Sequence, residues 1–115
     1  MYWIALALTL LVALLHVYFL VLEMFLWTRS PGLRVFRQSR EQAEQTRVLA
    51  ANQGLYNGIL AAGLLYGAAT GSREFCLFFL ASVVVAGVYG AATVNKRIFL
   101  VQALPAMLAI AALLL

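Results

Sequence analysis

The chain has 115 residues, of which 65% are hydrophobic and 10% charged, and its mean hydropathy is +0.97. An ordinary soluble domain carries about a quarter charged residues, and a disordered chain has more charge and far less Leu, Ala, Val and Phe. One cysteine excludes a disulfide scaffold and any two-cysteine metal or redox motif. The composition predicts an all-α integral membrane protein.

A spanning helix needs roughly 20 mostly apolar residues at a rise of about 1.5 Å each. Four runs qualify, at about residues 4–27, 48–69, 74–94 and 98–115. The prediction is one transmembrane domain, residues 1–115, folded as an antiparallel four-helix bundle. Its first connection, residues 28–47, is long; the others, Thr70-Gly71-Ser72-Arg73 and Asn95-Lys96-Arg97, are tight. The first run lacks a basic start and a small-x-small site, and it carries His16 and Glu23. It therefore reads as a permanent span and not as a cleaved signal.

Orientation follows from the basic residues. Arg29, Arg34, Arg37, Arg40 and Arg47 lie in the first connection, Lys96 and Arg97 in the third, and only Arg73 in the second. The excess of Lys and Arg places the first and third connections in the cytoplasm and both termini outside. Tyr2, Trp3 and Trp27 supply interfacial anchors. The net charge of +4 is thus a topology signal, matched to anionic lipid headgroups and not to nucleic acid.

Within the first connection, Pro31-Gly32 stops whatever precedes it. Residues 31–38 mix Leu33, Val35 and Phe36 with Arg34 and Arg37, which suits a segment lying along the headgroups. Ser39-Arg40-Glu41-Gln42 fits a capping box. The helix it opens is predicted to continue from Arg40 through Arg47 into the second span, projecting about two turns into the cytoplasm.

Polar side chains inside a bilayer cost several kcal/mol unless paired or wet. His16 and Glu23, seven residues apart, share one face of the first helix. Asn52, Gln53, Tyr56 and Asn57 fill an arc of about 140° on the second. Ser82, Ala86, Tyr89 and Thr93 stripe the third, followed by Asn95 and Arg97, and Gln102 stands one turn into the fourth, before Pro105. The outer half offers little besides Tyr66 and Thr9. This distribution predicts a polar pocket open to the cytoplasmic leaflet. The candidate catalytic residues are Glu23, Tyr89 and Arg97. The candidate ligand-binding residues are His16, Arg47, Asn52, Gln53, Tyr56, Asn57, Thr93, Asn95 and Gln102.

Asn, Gln, Ser and Tyr also serve as interhelical glue, at roughly 0.6 to 2 kcal/mol each. Glu23 asks for more: a carboxylate at that depth is protonated, paired with Arg47 or Arg97, or held for a ligand. No phosphate loop, nucleophile elbow or metal-ligand cluster is present, and one histidine gives at most one haem ligand per chain.

Gly54-x-x-x-Gly58 and Gly63-x-x-x-Gly67 lie on opposite faces of the second helix, and Ala86-x-x-x-Gly90 marks the third. Such pairs let backbones approach closely. Two close-packing faces on one helix predict contacts within and between protomers, hence a homo-oligomer. Cys76 reads as a packing residue, with an intermolecular disulfide as the lesser alternative.

The stretches 16–24 (HVYFLVLEM), 51–58 (ANQGLYNG) and 87–93 (GVYGAAT) resemble an uncharacterised family of small bacterial integral membrane proteins. The resemblance covers nearly the whole chain. It implies multi-pass insertion in a bacterial inner membrane and supplies no activity. More distantly, the order Arg47, Asn52, Asn57, then Gly63-Leu64-Leu65-Tyr66 resembles the membrane-associated eicosanoid and glutathione metabolism proteins, the microsomal glutathione transferase superfamily. That resemblance implies a trimer of four-helix protomers and glutathione as the co-substrate. The family carries a glutamate after the asparagine, where this chain has Leu55 or Tyr56, and a third-helix arginine, for which Arg97 is the nearby candidate.

Three functions compete. The first is binding or modification of an amphipathic or lipophilic small molecule that enters from the bilayer, carried by Glu23, Asn52, Tyr56, Tyr89 and Arg97. The second is proton-coupled export through Glu23, similar in outline to the small multidrug transporters. The third is a structural or regulatory membrane subunit without catalysis. The residues favour the first and leave open whether the chain is an enzyme.

Overall fold

Long apolar runs propagate as helices, because every backbone donor and acceptor is then satisfied within the segment, and glycines inside such runs are tolerated where a neighbouring helix packs on them. The computed structural model describes residues 2–115, and it is all-helical among them. The elements are α1 (Tyr2–Met24), α2 (Ser30–Phe36), α3 (Arg40–Gln45), α4 (Arg47–Thr70), α5 (Arg73–Thr93), a π-helical turn (Phe99–Ala103) and α6 (Leu104–Leu114). Three helices, α1, α4 and α5, are long and apolar enough to cross a membrane, and the apolar stretch Phe99–Leu114 is shorter.

Six α-helices thus stand where four runs were expected, and the differences have local causes. The predicted helix from Arg40 into the second span is interrupted at Thr46, whose backbone leaves the helical region at φ −110°, ψ 11°. The Thr46 hydroxyl donates to the Gln42 carbonyl at 3.1 Å and accepts from the indole N–H of Trp27, also at 3.1 Å. The hydroxyl thereby ties the break to a residue 19 positions earlier. The capping box forms as predicted: the Ser39 hydroxyl accepts from the Gln42 N–H at 3.1 Å, and the Gln42 side chain accepts from the Ser39 N–H at 3.0 Å.

Pro105 does not break the last helix. Proline lacks the N–H that would reach the Val101 carbonyl. The turn before it widens to π geometry, with the Leu104 N–H bonding back to the Phe99 carbonyl. The α4–α5 turn is a Schellman closure. Gly71 takes the left-handed conformation at φ +68°, the Ser72 N–H reaches the Gly67 carbonyl at 2.9 Å, and the Gly71 N–H reaches the Ala68 carbonyl at 3.4 Å. Ser72 then caps α5 by accepting from the Phe75 N–H.

The chain divides into two compact units, one of Met1–Leu15 with Leu60–Leu115 and one of His16–Ile59. The first is built on a core of Val12, Ala13, Leu64, Leu80, Val83, Ala106 and Ala109. Alanines dominate the α6 side, so backbones come close: a Cβ on Gly87 would stand 2.7 Å from the Ala103 nitrogen. The second unit is smaller. It joins the ends of α1 and α4 to the two short helices, with Leu22 and Ala43 buried and the Trp27 ring against that of Phe36, centroids 4.8 Å apart and planes tilted by 49°. Gly32 lies so tightly against the Leu26 carbonyl that no larger residue fits there without displacing backbone.

Candidate functional site

Gly54 and Gly58 bring α4 against α1 inside the His16–Ile59 unit. A Cβ on Gly54 would meet the Met24 side chain at 2.6 Å and the Glu23 Cβ at 3.1 Å; one on Gly58 would meet Leu20. Asn57 lies between these two glycines in the turn, and the close approach delivers its amide to Glu23. Asn57 Nδ2 donates to Glu23 Oε1 at 2.6 Å. Asn57 is 5% exposed, and Glu23 is half-buried. Seven residues earlier on α1, His16 is fully buried and packs edge-on against Phe19 at 5.4 Å. The unit therefore carries one carboxylate and one amide in direct contact, with one buried imidazole two turns away on α1.

The other candidates in this unit lie differently. Arg47 forms an ion pair with Glu44 at 3.6 Å, and not with Glu23. Asn52 turns its amide back to the Val48 carbonyl of its own helix at 3.0 Å. Asn52, Gln53 and Tyr56 are all exposed. The 140° arc thus splits, with Asn57 facing α1 and the remainder facing away from the chain. An open notch lined by Thr28, Arg29, Ser30, Pro31 and Arg40 brings two arginines together beside α2.

Tyr89, Thr93, Asn95, Arg97 and Gln102 belong to the other unit. Tyr89 is 71% exposed, and Thr93 donates to its carbonyl at 2.7 Å. Asn95 accepts from the Arg97 N–H at 2.9 Å, a side-chain turn that starts the last helical segment. Arg97 is exposed and Gln102 half-buried. The α5 face that packs inward is Gly87 and Gly90, against Ala103 and Ile98. The stripe Ser82, Ala86, Tyr89 and Thr93 lies beside that face. Ser82 and Thr93 return their hydroxyls to their own helix, as polar residues in apolar helices commonly do.

Both small-residue faces of α4 are occupied within the chain. Gly54 and Gly58 take α1, while Gly63 and Gly67 take Phe79 and Cys76 of α5. Cys76 is buried there, as a packing residue would be. Sequence reasoning missed Thr46, whose hydroxyl ties the end of α3 to Trp27; the only signal was a Thr immediately before the basic residue that opens the apolar run.

Comparison with known proteins adds a family without a function. A family model described as "Protein of unknown function (DUF1304)" matches residues 10–114. The chain is 36% identical over 107 residues to the "Uncharacterized protein YpaA" of Lactococcus lactis subsp. lactis (strain IL1403), covering 90% of each. No solved structure matches the chain.

Proposed function

The chain belongs to the family of unknown function DUF1304, and we propose that it is an integral membrane protein that binds an amphipathic small molecule at the Glu23–Asn57 pair. The observation that carries the binding reading is the pair itself. A carboxylate and an amide meet at 2.6 Å on helix faces that close packing of Gly54 and Gly58 brings together. Glu23 retains a second carboxylate oxygen to engage a ligand donor, and the half-buried position leaves an approach open.

Membrane insertion is supported by what the chain leaves uncovered. Only 28%, 33% and 22% of the apolar windows of α1, α4 and α5 are buried within it. Leu14, Val48, Phe78 and Val85 are each more than 60% exposed. Apolar surface on that scale needs lipid or a protein partner. The arginine-rich segment of residues 28–47 and the Lys96-Arg97 pair fit a cytoplasmic side, with both termini outside and a four-helix bundle completed by Phe99–Leu114. The notch holding Arg29 and Arg40 fits an anionic headgroup. A homo-oligomer, a trimer by the distant resemblance, would cover part of the remaining surface, and glutathione is the co-substrate that resemblance implies.

Native mass spectrometry of the gently solubilised protein tests this reading, comparing wild type with Glu23→Gln, Asn57→Ala and Asn52→Ala. The expected result is a retained small molecule that Glu23→Gln and Asn57→Ala lose and Asn52→Ala keeps, since Asn52 bonds its own helix. Retention by all three, or nothing retained by wild type, overturns the binding reading. Proton-driven uptake into vesicles that vanishes in Glu23→Gln would favour export instead.

A further inference from the structure

A second site lies in the other unit and shares no residue with the Glu23–Asn57 pair. Where α4 turns into α5, a cleft of about 210 Å³ opens among α1, the end of α4, the start of α5 and the end of α6. Its apolar lining includes Ala5, Leu6, Ala68 and Leu113, and Arg73, Ser72 and Tyr2 stand among the polar residues that line it. An engineered apolar cavity of about 150 Å³ is enough to hold a benzene ring, so this one holds a length of hydrocarbon.

The independent observation is Thr9, which lines the same cleft and is 1% exposed. Its hydroxyl oxygen has no hydrogen-bond partner. The contrast with other helical hydroxyls is sharp: Thr46, Thr70, Ser82 and Thr93 all donate to the carbonyl four residues back. Thr9 forms no such bond. A buried hydroxyl left without a partner is costly, and structures place few of them without a ligand, water or ion to meet them.

Charge selects the occupant. Arg73, at the first position of α5, is the one lining residue with a charged side chain; its neighbour Glu74 is not among the lining residues. An apolar cleft with a guanidinium and hydroxyls beside it fits one acyl chain that carries an anionic headgroup. We propose that this cleft binds the acyl chain of an anionic lipid, with Arg73 on the headgroup, Ala5, Leu6 and Ala68 along the chain, and Thr9 donating to an oxygen of the bound lipid. The source is a free fatty acid or an anionic phospholipid, which present the same chemistry to these residues. The inference does not depend on what Glu23 binds.

The test titrates the detergent-purified chain with oleate and, separately, with oleyl alcohol, and counts adducts by native mass spectrometry. Wild type should take one oleate per chain and hold it about fivefold more tightly than the alcohol, which has the same tail and no charge. Arg73→Gln should abolish that preference. Ala68→Phe, which fills the cleft, should weaken both ligands about tenfold or more, with circular dichroism and thermal melting confirming the fold. Thr9→Val, nearly isosteric, should weaken oleate about fivefold and tests the site even if Ala68→Phe does not fold. Competition by phosphatidylglycerol but not phosphatidylcholine identifies a membrane phospholipid as the source; competition by neither identifies the free acid, and both results support the site. Equal binding of oleate and oleyl alcohol by wild type, or undiminished oleate binding by Thr9→Val and a folded Ala68→Phe, overturns it.

Discussion

The two units of this small chain are held together by different means. In His16–Ile59 close packing at Gly32, Gly54 and Gly58 is joined by directional side-chain links: Asn57 to Glu23, Trp27 to Thr46, and the reciprocal Ser39–Gln42 cap. In the unit of α5 and α6 the links are steric, with Gly87 against Ala103 and a core of small and branched side chains. Hydrogen bonds depend on one geometry and so define the register of a segment that carries function. Steric fit tolerates no added volume but is indifferent to chemistry. The polar unit is accordingly where a ligand-binding centre is expected. The apolar unit holds the exception, a single buried hydroxyl with no partner.

The sharpest way to break this contrast is to add volume. In Gly87→Leu the new Cβ would stand 2.7 Å from a backbone nitrogen and 3.0 Å from the Ala103 Cα, and neither can move without shifting the π-helical turn. A loss of about 3 kcal/mol is expected in detergent unfolding. Gly58→Ala in the other unit meets only the tip of Leu20, a side chain that can rotate, and should cost less than about 1 kcal/mol. Equal losses would mean that the two units pack alike.

Removing polar links should invert the order. Asn57→Ala deletes the donor to Glu23 and is expected to cost about 2 kcal/mol. Glu23→Gln keeps an acceptor oxygen for Asn57 and should cost about half as much, because charge-assisted hydrogen bonds are roughly twice as strong as neutral ones. A double-mutant cycle separates the bond from the charge; coupling near zero would make the pair two independent residues. Trp27→Phe removes the indole donor to Thr46 and retains an aromatic ring for Phe36. It should cost about 1 kcal/mol. Faster amide exchange at Ala43 and Ala50, with α5 unchanged, is the readout that places the loss in the first connection.

These contrasts also explain which features could be read from residues alone. The capping box at Ser39, the breaks at Gly71 and at Asn95-Lys96-Arg97, and the apolar runs of α1, α4 and α5 are local patterns, and local hydrogen bonding decides them. The seven-residue spacing of His16 and Glu23 places both on one face of α1 and predicts a shared pocket with Asn57, but the partner that spacing and charge suggest for Glu23 is Arg47 or Arg97, whereas Asn57 is the residue that meets it. The helix break at Thr46 depends on a contact 19 residues away, which no local pattern encodes. The arc on α4 could not be divided in advance, because Asn52, Gln53 and Tyr56 differ from Asn57 only in which side the Gly54 approach leaves covered. The cleft at Thr9 needs four chain segments to form, so the sequence showed only a lone threonine in an apolar half.

The smallest expected effect on stability is the most informative. In Asn57→Ala a satisfied polar group loses its bond, and stability falls. In Thr9→Val a hydroxyl without a partner is replaced by a methyl of nearly the same volume, so no bond is lost and apolar burial rises. The ligand-free protein should therefore be unchanged or stabilised by up to about 1 kcal/mol in a thermal melt in lipid-free detergent. With oleate present the order should reverse: wild type gains stability from the ligand and Thr9→Val gains less, since a ligand stabilises in proportion to the logarithm of its concentration over its dissociation constant. A residue kept only for packing would give the same difference between the two proteins with and without oleate. A crossover of the two melting curves on adding oleate identifies Thr9 as a binding residue maintained at some cost to the stability of the empty fold.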